Sequence, residues 1–125
     1  MLKYQRIIFF AGLLGIFLCG CAGKRNPVEL TVCGGAPVVY KSDSGDRIIA
    51  RYFTLSDHSL DFVKVTLPGG KEYTLPQAMS ASGVRYTDDR ELVWWTKGNT
   101  AFAEFRDKNG QWKREYDCKE IPVNK

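Results

Sequence analysis

Residues 100–118 read TAFAEFRDKNGQWKREYDC. Two alternating runs, Thr100–Arg106 and Gln111–Cys118, flank Asp107-Lys108-Asn109-Gly110. Side chains of a strand point alternately to opposite faces, so a period of two marks a half-buried strand. Asn-Gly between two such runs is a strong short-range hairpin signal, because both residues tolerate the backbone that a tight turn needs. The alternation places Trp112, Arg114, Tyr116 and Cys118 on one face and Lys113, Glu115 and Asp117 on the other. The first face is expected to point inward, with Arg114 near a rim.

The same pattern repeats toward the N-terminus. Glu91–Trp95 (ELVWW) precedes a Thr96-Lys97-Gly98-Asn99 loop. Lys71–Leu75, Phe62–Leu67, Arg47–Leu55, Val38–Tyr40 and Val28–Cys33 are further strand candidates. Pro68-Gly69-Gly70, Ser56–Ser59, Ser42–Asp46 and Gly34-Gly35-Ala36-Pro37 separate them as turns. The segment after residue 27 has no long apolar period of 3.6. Short strands with Gly, Pro and Asn between them suggest an all-β sandwich or barrel.

Residues 1–20 stand apart. Lys3 and Arg6 precede a 12-residue apolar run, Ile7–Leu18, too short for a comfortable membrane span but suited to a signal-peptide core. Leu18-Cys19-Gly20-Cys21 resembles a bacterial lipobox, with the small Gly20 just before Cys21. The expectation is a lipoprotein signal over 1–20 and a lipidated tether over 21–27. A domain over 28–120 and a polar tail over 121–125 follow. Ala22 is not the aspartate of inner-membrane retention, which favours the outer membrane. Removing the signal takes away Lys3 and Arg6 and no acid, leaving +2 of the chain's formal +4. That balance, with both signs interspersed, is no nucleic-acid footprint.

Of four cysteines, Cys19 leaves with the signal and Cys21 is expected to carry the lipid. Cys33 and Cys118 remain, one near each end of the domain. A disulfide between them is the expectation in an oxidising compartment, worth roughly 4–5 kcal/mol in the chain-entropy model. Two unpaired thiols or a metal site are the alternatives. The metal site is poorly supported, with no CxxC pair and His58 as the one histidine.

Catalysis finds little support. A Ser–His–Asp arrangement needs Ser82 beside His58, and no G-x-S-x-G elbow is present. Asp88-Asp89 is a carboxylate pair of the kind that is usually solvated in a turn. No enzyme, no cofactor and no metal are expected.

The stretch 80–99, SASGVRYTDDRELVWWTKGN, carries two loops with a small or cationic polar residue directly before glycine, Ser82-Gly83 and Lys97-Gly98. SASGVRY followed by VWWTKGNTAF resembles the membrane-bound inhibitors of C-type lysozyme, small bacterial envelope lipoproteins. The resemblance spans roughly Cys33–Cys118 and is densest from Tyr73 to Asn99. It implies a small antiparallel β-barrel whose SGxxY and KG loops enter the lysozyme cleft. Ser82, Gly83 and Tyr86 match the first motif, and Lys97 and Gly98 the second. It further implies an outer-membrane, periplasm-facing inhibitor with C-type lysozyme as partner. Such lysozymes are typically basic, so acids near the tips are expected to steer binding, with Asp88, Asp89 and Glu91 as candidates. The rival readings are a glycan-binding module stacking sugars on Trp94, Trp95 and Tyr86, a structural envelope lipoprotein, and an apolar-ligand carrier.

Overall fold

The computed structural model describes residue 23 and residues 26–123. The expected signal peptide and Cys21 lie outside the described residues. Eight strands run in chain order: β1 (Val32–Ser42), β2 (Arg47–Leu55), β3 (Asp61–Thr66), β4 (Glu72–Ala78), β5 (Val84–Thr87), β6 (Leu92–Lys97), β7 (Thr100–Arg106) and β8 (Trp112–Glu120). Each pairs antiparallel with the next, and β8 pairs with β1 to close a barrel. The seam is short, made by Tyr40, Lys41 and Ser42 against Glu120, Lys119 and Cys118. Ile121 extends it by donating its backbone N–H to the Val39 carbonyl. Closure matters because an open sheet edge presents unpaired backbone groups to any passing strand.

One residue of each alternating pair fills the interior. Ile48, Val63, Val65, Leu75, Leu92 and Trp94 are fully buried, and Ala101 and Ala103 leave room for the large rings opposite. Polar atoms inside are satisfied. The Trp94 indole N–H donates to the Tyr52 hydroxyl at 3.1 Å, and the Tyr52 and Tyr40 hydroxyls share a hydrogen bond at 2.8 Å. Burial pushes both phenols above their ordinary pKa, so they stay neutral, and Tyr40 meets Trp94 edge to face. A filled interior leaves no chamber for an apolar cargo.

The Asp107–Gln111 segment forms the hairpin that its Asn-Gly suggests. Gly110 has φ +78°, and the Asp107 carboxylate accepts from the Asn109 and Gln111 amides. The single face expected for β8 is broken. Ala103 pairs with Tyr116 but Glu104 pairs with Arg114, so Glu115 is an extra residue in a bulge. The bulge flips the side chains before it. Tyr116 and Cys118 turn to the core, while Arg114 lies outside over the Phe102 ring and Arg106 lies over the Trp112 ring.

Two expectations near the N-terminus are corrected. Gly34–Pro37 is no turn. Gly34 and Gly35 sit inside β1 at φ +96° and +97°, where the register shifts between Gly34 and Pro37. A Cβ on Gly34 would stand 2.5 Å from the Tyr52 carbonyl oxygen, so only glycine lets β1 approach β2 there. Nor is the Cys33–Cys118 disulfide formed; Cys33 is free and exposed, Cys118 free and buried. Cys118 pairs with Ser42, and Cys33 pairs with Thr54 near the other end of β1. At about 3.3 Å per residue the strand separates them by roughly 25–30 Å if straight, whereas a disulfide needs Cα atoms within about 7 Å. Burial pushes the Cys118 thiol up to about 11, with the nearby acids Asp117 and Asp43 adding to it.

Candidate functional site: two loop tips at one barrel end

The meander sends alternate connections to opposite ends. The β2–β3, β4–β5 and β6–β7 connections share one end; the β1–β2, β3–β4, β5–β6 and β7–β8 connections share the other. Both candidate loops therefore fall on the same end and on neighbouring hairpins, with Val84 paired to Thr96 and Arg85 to Trp95.

The first tip is Ser80–Gly83. The Ser80 hydroxyl donates to the Gly83 carbonyl at 2.8 Å and closes the loop. Gly83 has φ +69°, and a Cβ there would run into the Thr96 carbonyl oxygen and crowd the Trp95 indole nitrogen. That indole N–H donates to the Ser82 carbonyl at 2.8 Å, fixing the tip from the adjacent strand. The second tip is tighter than the sequence suggests, since β6 continues through Lys97. Gly98-Asn99 turns the chain with Gly98 at φ +59°, the first central position where a type II′ hairpin turn requires glycine. The Thr100 hydroxyl donates to the Lys97 carbonyl at 2.8 Å, and the Asn99 carbonyl accepts from the Glu120 amide at 2.7 Å.

The backbones are thus held, while the working side chains are not. Ser82 and Lys97 are exposed, and neither the Ser82 hydroxyl nor the Lys97 ammonium has a partner among the described residues. Together they line an open concavity of about 420 Å³ with Trp95, Thr100, Phe102, Glu104 and Arg114. Trp95 and Phe102 pair across β6 and β7 with ring centroids 5.6 Å apart, and the Arg114 guanidinium sits 3.6 Å from the Phe102 centroid. Glu104 at 3.7 Å and Asp117 at 3.3 Å hold that guanidinium in place. Sequence reading did not single out Phe102, Glu104 or Arg114 for this concavity. Their common side follows from the bulge at Glu115, which no local signal announces.

Gly83 and Gly98 join Ser82 and Lys97 at this end, but Tyr86 does not. It is buried in the core against Tyr52, ring centroids 5.7 Å apart, and burial pushes its hydroxyl up to about 12. Trp94 is buried as well, so the expected sugar-stacking platform of Trp94, Trp95 and Tyr86 is not assembled. The expected steering acids are also misplaced. Asp88, Asp89 and Glu91 belong to the β5–β6 turn at the opposite end, where the Asp88 carboxylate accepts from the amides of Arg90, Glu91 and Leu92. Among the described residues no group of three His, Cys, Asp or Glu side chains is placed to hold a metal ion.

A closed barrel with two rigid, adjacent tips bearing unpartnered polar side chains is a binding protein of the plug type, in which loops from a fixed scaffold meet a concave target. The chain belongs to the family "Membrane-bound lysozyme-inhibitor of c-type lysozyme", whose sequence model matches residues 40–112. A membrane-bound lysozyme inhibitor of C-type lysozyme from Yersinia enterocolitica is 44% identical over 94 residues, covering 75% of this chain and 67% of that protein. Its namesake from Pseudomonas aeruginosa is 31% identical over 117 residues, covering 75% of this chain and 90% of that protein. The crystal structure of Pseudomonas aeruginosa MliC in complex with hen egg white lysozyme shares the fold, with a TM-score of 0.55 and 24% identity. That match covers 74% of this chain and 85% of the other. The family is one of inhibitors, not of enzymes, and its members are named as membrane-bound.

Proposed function

We propose that this protein inhibits C-type lysozyme by inserting the Ser82 and Lys97 tips into the active-site cleft. The observation that carries this reading is the pair of unpartnered side chains, one neutral and one cationic, lining a single concavity at one barrel end. A C-type lysozyme works with two carboxyl groups flanking the glycosidic bond, one protonated and one ionised. A hydroxyl both donates and accepts, so it suits either form, and an ammonium complements the ionised one. Gly83 and Gly98 offer no side chain to obstruct the approach. Tyr86, from inside the barrel, buttresses the strand that leads out of the first tip. The Trp95 brace reduces the ordering that binding would otherwise require.

The same reading makes the chain a lipoprotein whose signal ends at Gly20. Acyl chains on Cys21 would hold it in the outer membrane, facing the periplasm, where it protects peptidoglycan. More than one acyl chain is what turns marginal membrane attachment into stable anchoring. The test is a turnover assay of C-type, goose-type and invertebrate-type lysozymes titrated with the protein. Loss of activity confined to the C-type enzyme is expected, and full C-type activity at saturating protein overturns the reading.

A further inference from the structure

The end that carries the two tips has a third feature. The β2–β3 turn lies beside the β4–β5 loop, and Ser59, Leu60, Asp61, Gln77, Ala78 and Met79 line an open hollow of about 390 Å³ between them. Met79 directly precedes the first tip and is 96% exposed, and Leu60 is 41% exposed on the same hollow. The other large apolar residues left in water among those described are Val28, Leu30 and Val32 where the chain enters, and Val123 where it leaves. Leu60 and Met79 are the two such residues that stand at the loop end of the barrel itself. No packing inside the fold explains a side chain as exposed as Met79. Methionine, unbranched and polarisable, adapts to an apolar surface presented from outside.

The hollow is also acidic. Asp57 and Asp61 are exposed and make no ion pair among the described residues. The Ser59 hydroxyl and amide both donate to the Asp57 carboxylate, which keeps its pKa below the usual carboxylate range and keeps it charged at neutral pH. With Asp88, Asp89 and Glu91 at the far end, Asp57 and Asp61 are the acids of the turn that adjoins the first tip.

We propose that this hollow is the flank of the lysozyme-binding face: Met79 and Leu60 cover an apolar part of the rim beside the cleft, while Asp57 and Asp61 face the cationic surface of a basic C-type lysozyme. The inference rests on the reading of the tips given above. It follows from continuity, because Met79 and Ser80 are neighbours in the chain and a target seated on the tip reaches the hollow. It follows also from charge, because a mature domain at +2 gains no attraction to a basic partner except through local acids.

Binding and inhibition of a C-type lysozyme by the full chain and its variants test it. Met79→Ser is expected to weaken binding about tenfold, the scale of one anchoring side chain at an interface centre. Its thermal midpoint should stay in place, because its side chain contributes no burial to the fold. Met79→Leu restores apolar contact and is expected to bind within about twofold of the wild type. Asp57→Asn with Asp61→Asn is expected to slow association several-fold at low salt, with the difference vanishing at high salt. A folded Met79→Ser, Leu60→Ser double variant that binds as tightly as the wild type overturns the flank alone. A wild-type protein that does not bind C-type lysozyme overturns the tips and the flank together.

Discussion

The two ends of the barrel use their polar side chains in opposite ways. At the β5–β6 and β7–β8 end, Asp88 and Asp107 turn inward on their own loops and accept backbone amides, and Arg85, Lys71 and Lys113 are paired with Asp89, Glu91 and Asp107. At the β4–β5 and β6–β7 end, Ser80 and Thr100 hold the backbone, and Ser82 and Lys97 are left over. An end whose polar groups are all consumed locally has little to offer a partner. An end whose backbone is fixed while its terminal side chains stay open can bind with little further ordering. Function separates from stability along the barrel axis for this reason.

Substitutions at each end sharpen that contrast. The largest effect is expected from Lys97→Ala, which should weaken lysozyme inhibition by roughly 2–5 kcal/mol if the ammonium meets a buried carboxylate, and leave thermal unfolding unchanged. Ser82→Ala follows at about 1–3 kcal/mol, from a buried partner left unsatisfied. Unchanged inhibition by both folded variants would move the binding site elsewhere. The reverse signature belongs to Asp88→Ala, expected to cost about 1–2 kcal/mol of unfolding free energy through three orphaned amides, with inhibition intact. Were it to lose inhibition while folded, the two-ended division would break.

Smaller effects probe the brace and the acid response. Trp95→Phe keeps a ring against Phe102 but removes the donor to the Ser82 carbonyl. A loss of about 0.5–1.5 kcal/mol in binding and faster amide exchange at Gly83 are expected, with Trp112→Phe at the other end as the silent control. The Asp88 carboxylate is partly desolvated, which raises its pKa. Its three backbone donors outweigh this and set the folded value below the usual range. The Gln111 amide does the same for Asp107, aided by Lys113 and the Asn109 amide. A depressed folded pKa stabilises above the unfolded value and loses that contribution as pH falls. The thermal midpoint should therefore drop on acidification below about pH 4, and Asp88→Ala should flatten that fall.

Much of this fold is legible in the chain because its signals are local. Alternation and turn residues marked most of the strands, Asn109-Gly110 marked its hairpin, and Ser82-Gly83 and Lys97-Gly98 marked both tips. Trp94 and Trp95, adjacent on a strand, had to face opposite ways, and one fills the core while the other braces the tip. Val28–Thr31 carries strand alternation yet lies outside the barrel, because periodicity reports a preference and says nothing of whether a neighbour exists to satisfy it.

What the chain by itself determined is therefore strand content and the identity of the two protruding turns, since both depend on backbone conformations set within a few residues. Only the closed barrel decided which turns share an end, sending Asp88 away from Lys97 and bringing Asp61 beside Met79. It also decided that Tyr86 points into the core, that the bulge at Glu115 turns Arg114 outward, and that Cys33 and Cys118 stand apart. Those outcomes depend on register and closure between strands distant in sequence, and a shift of one residue in either reverses which face a side chain occupies.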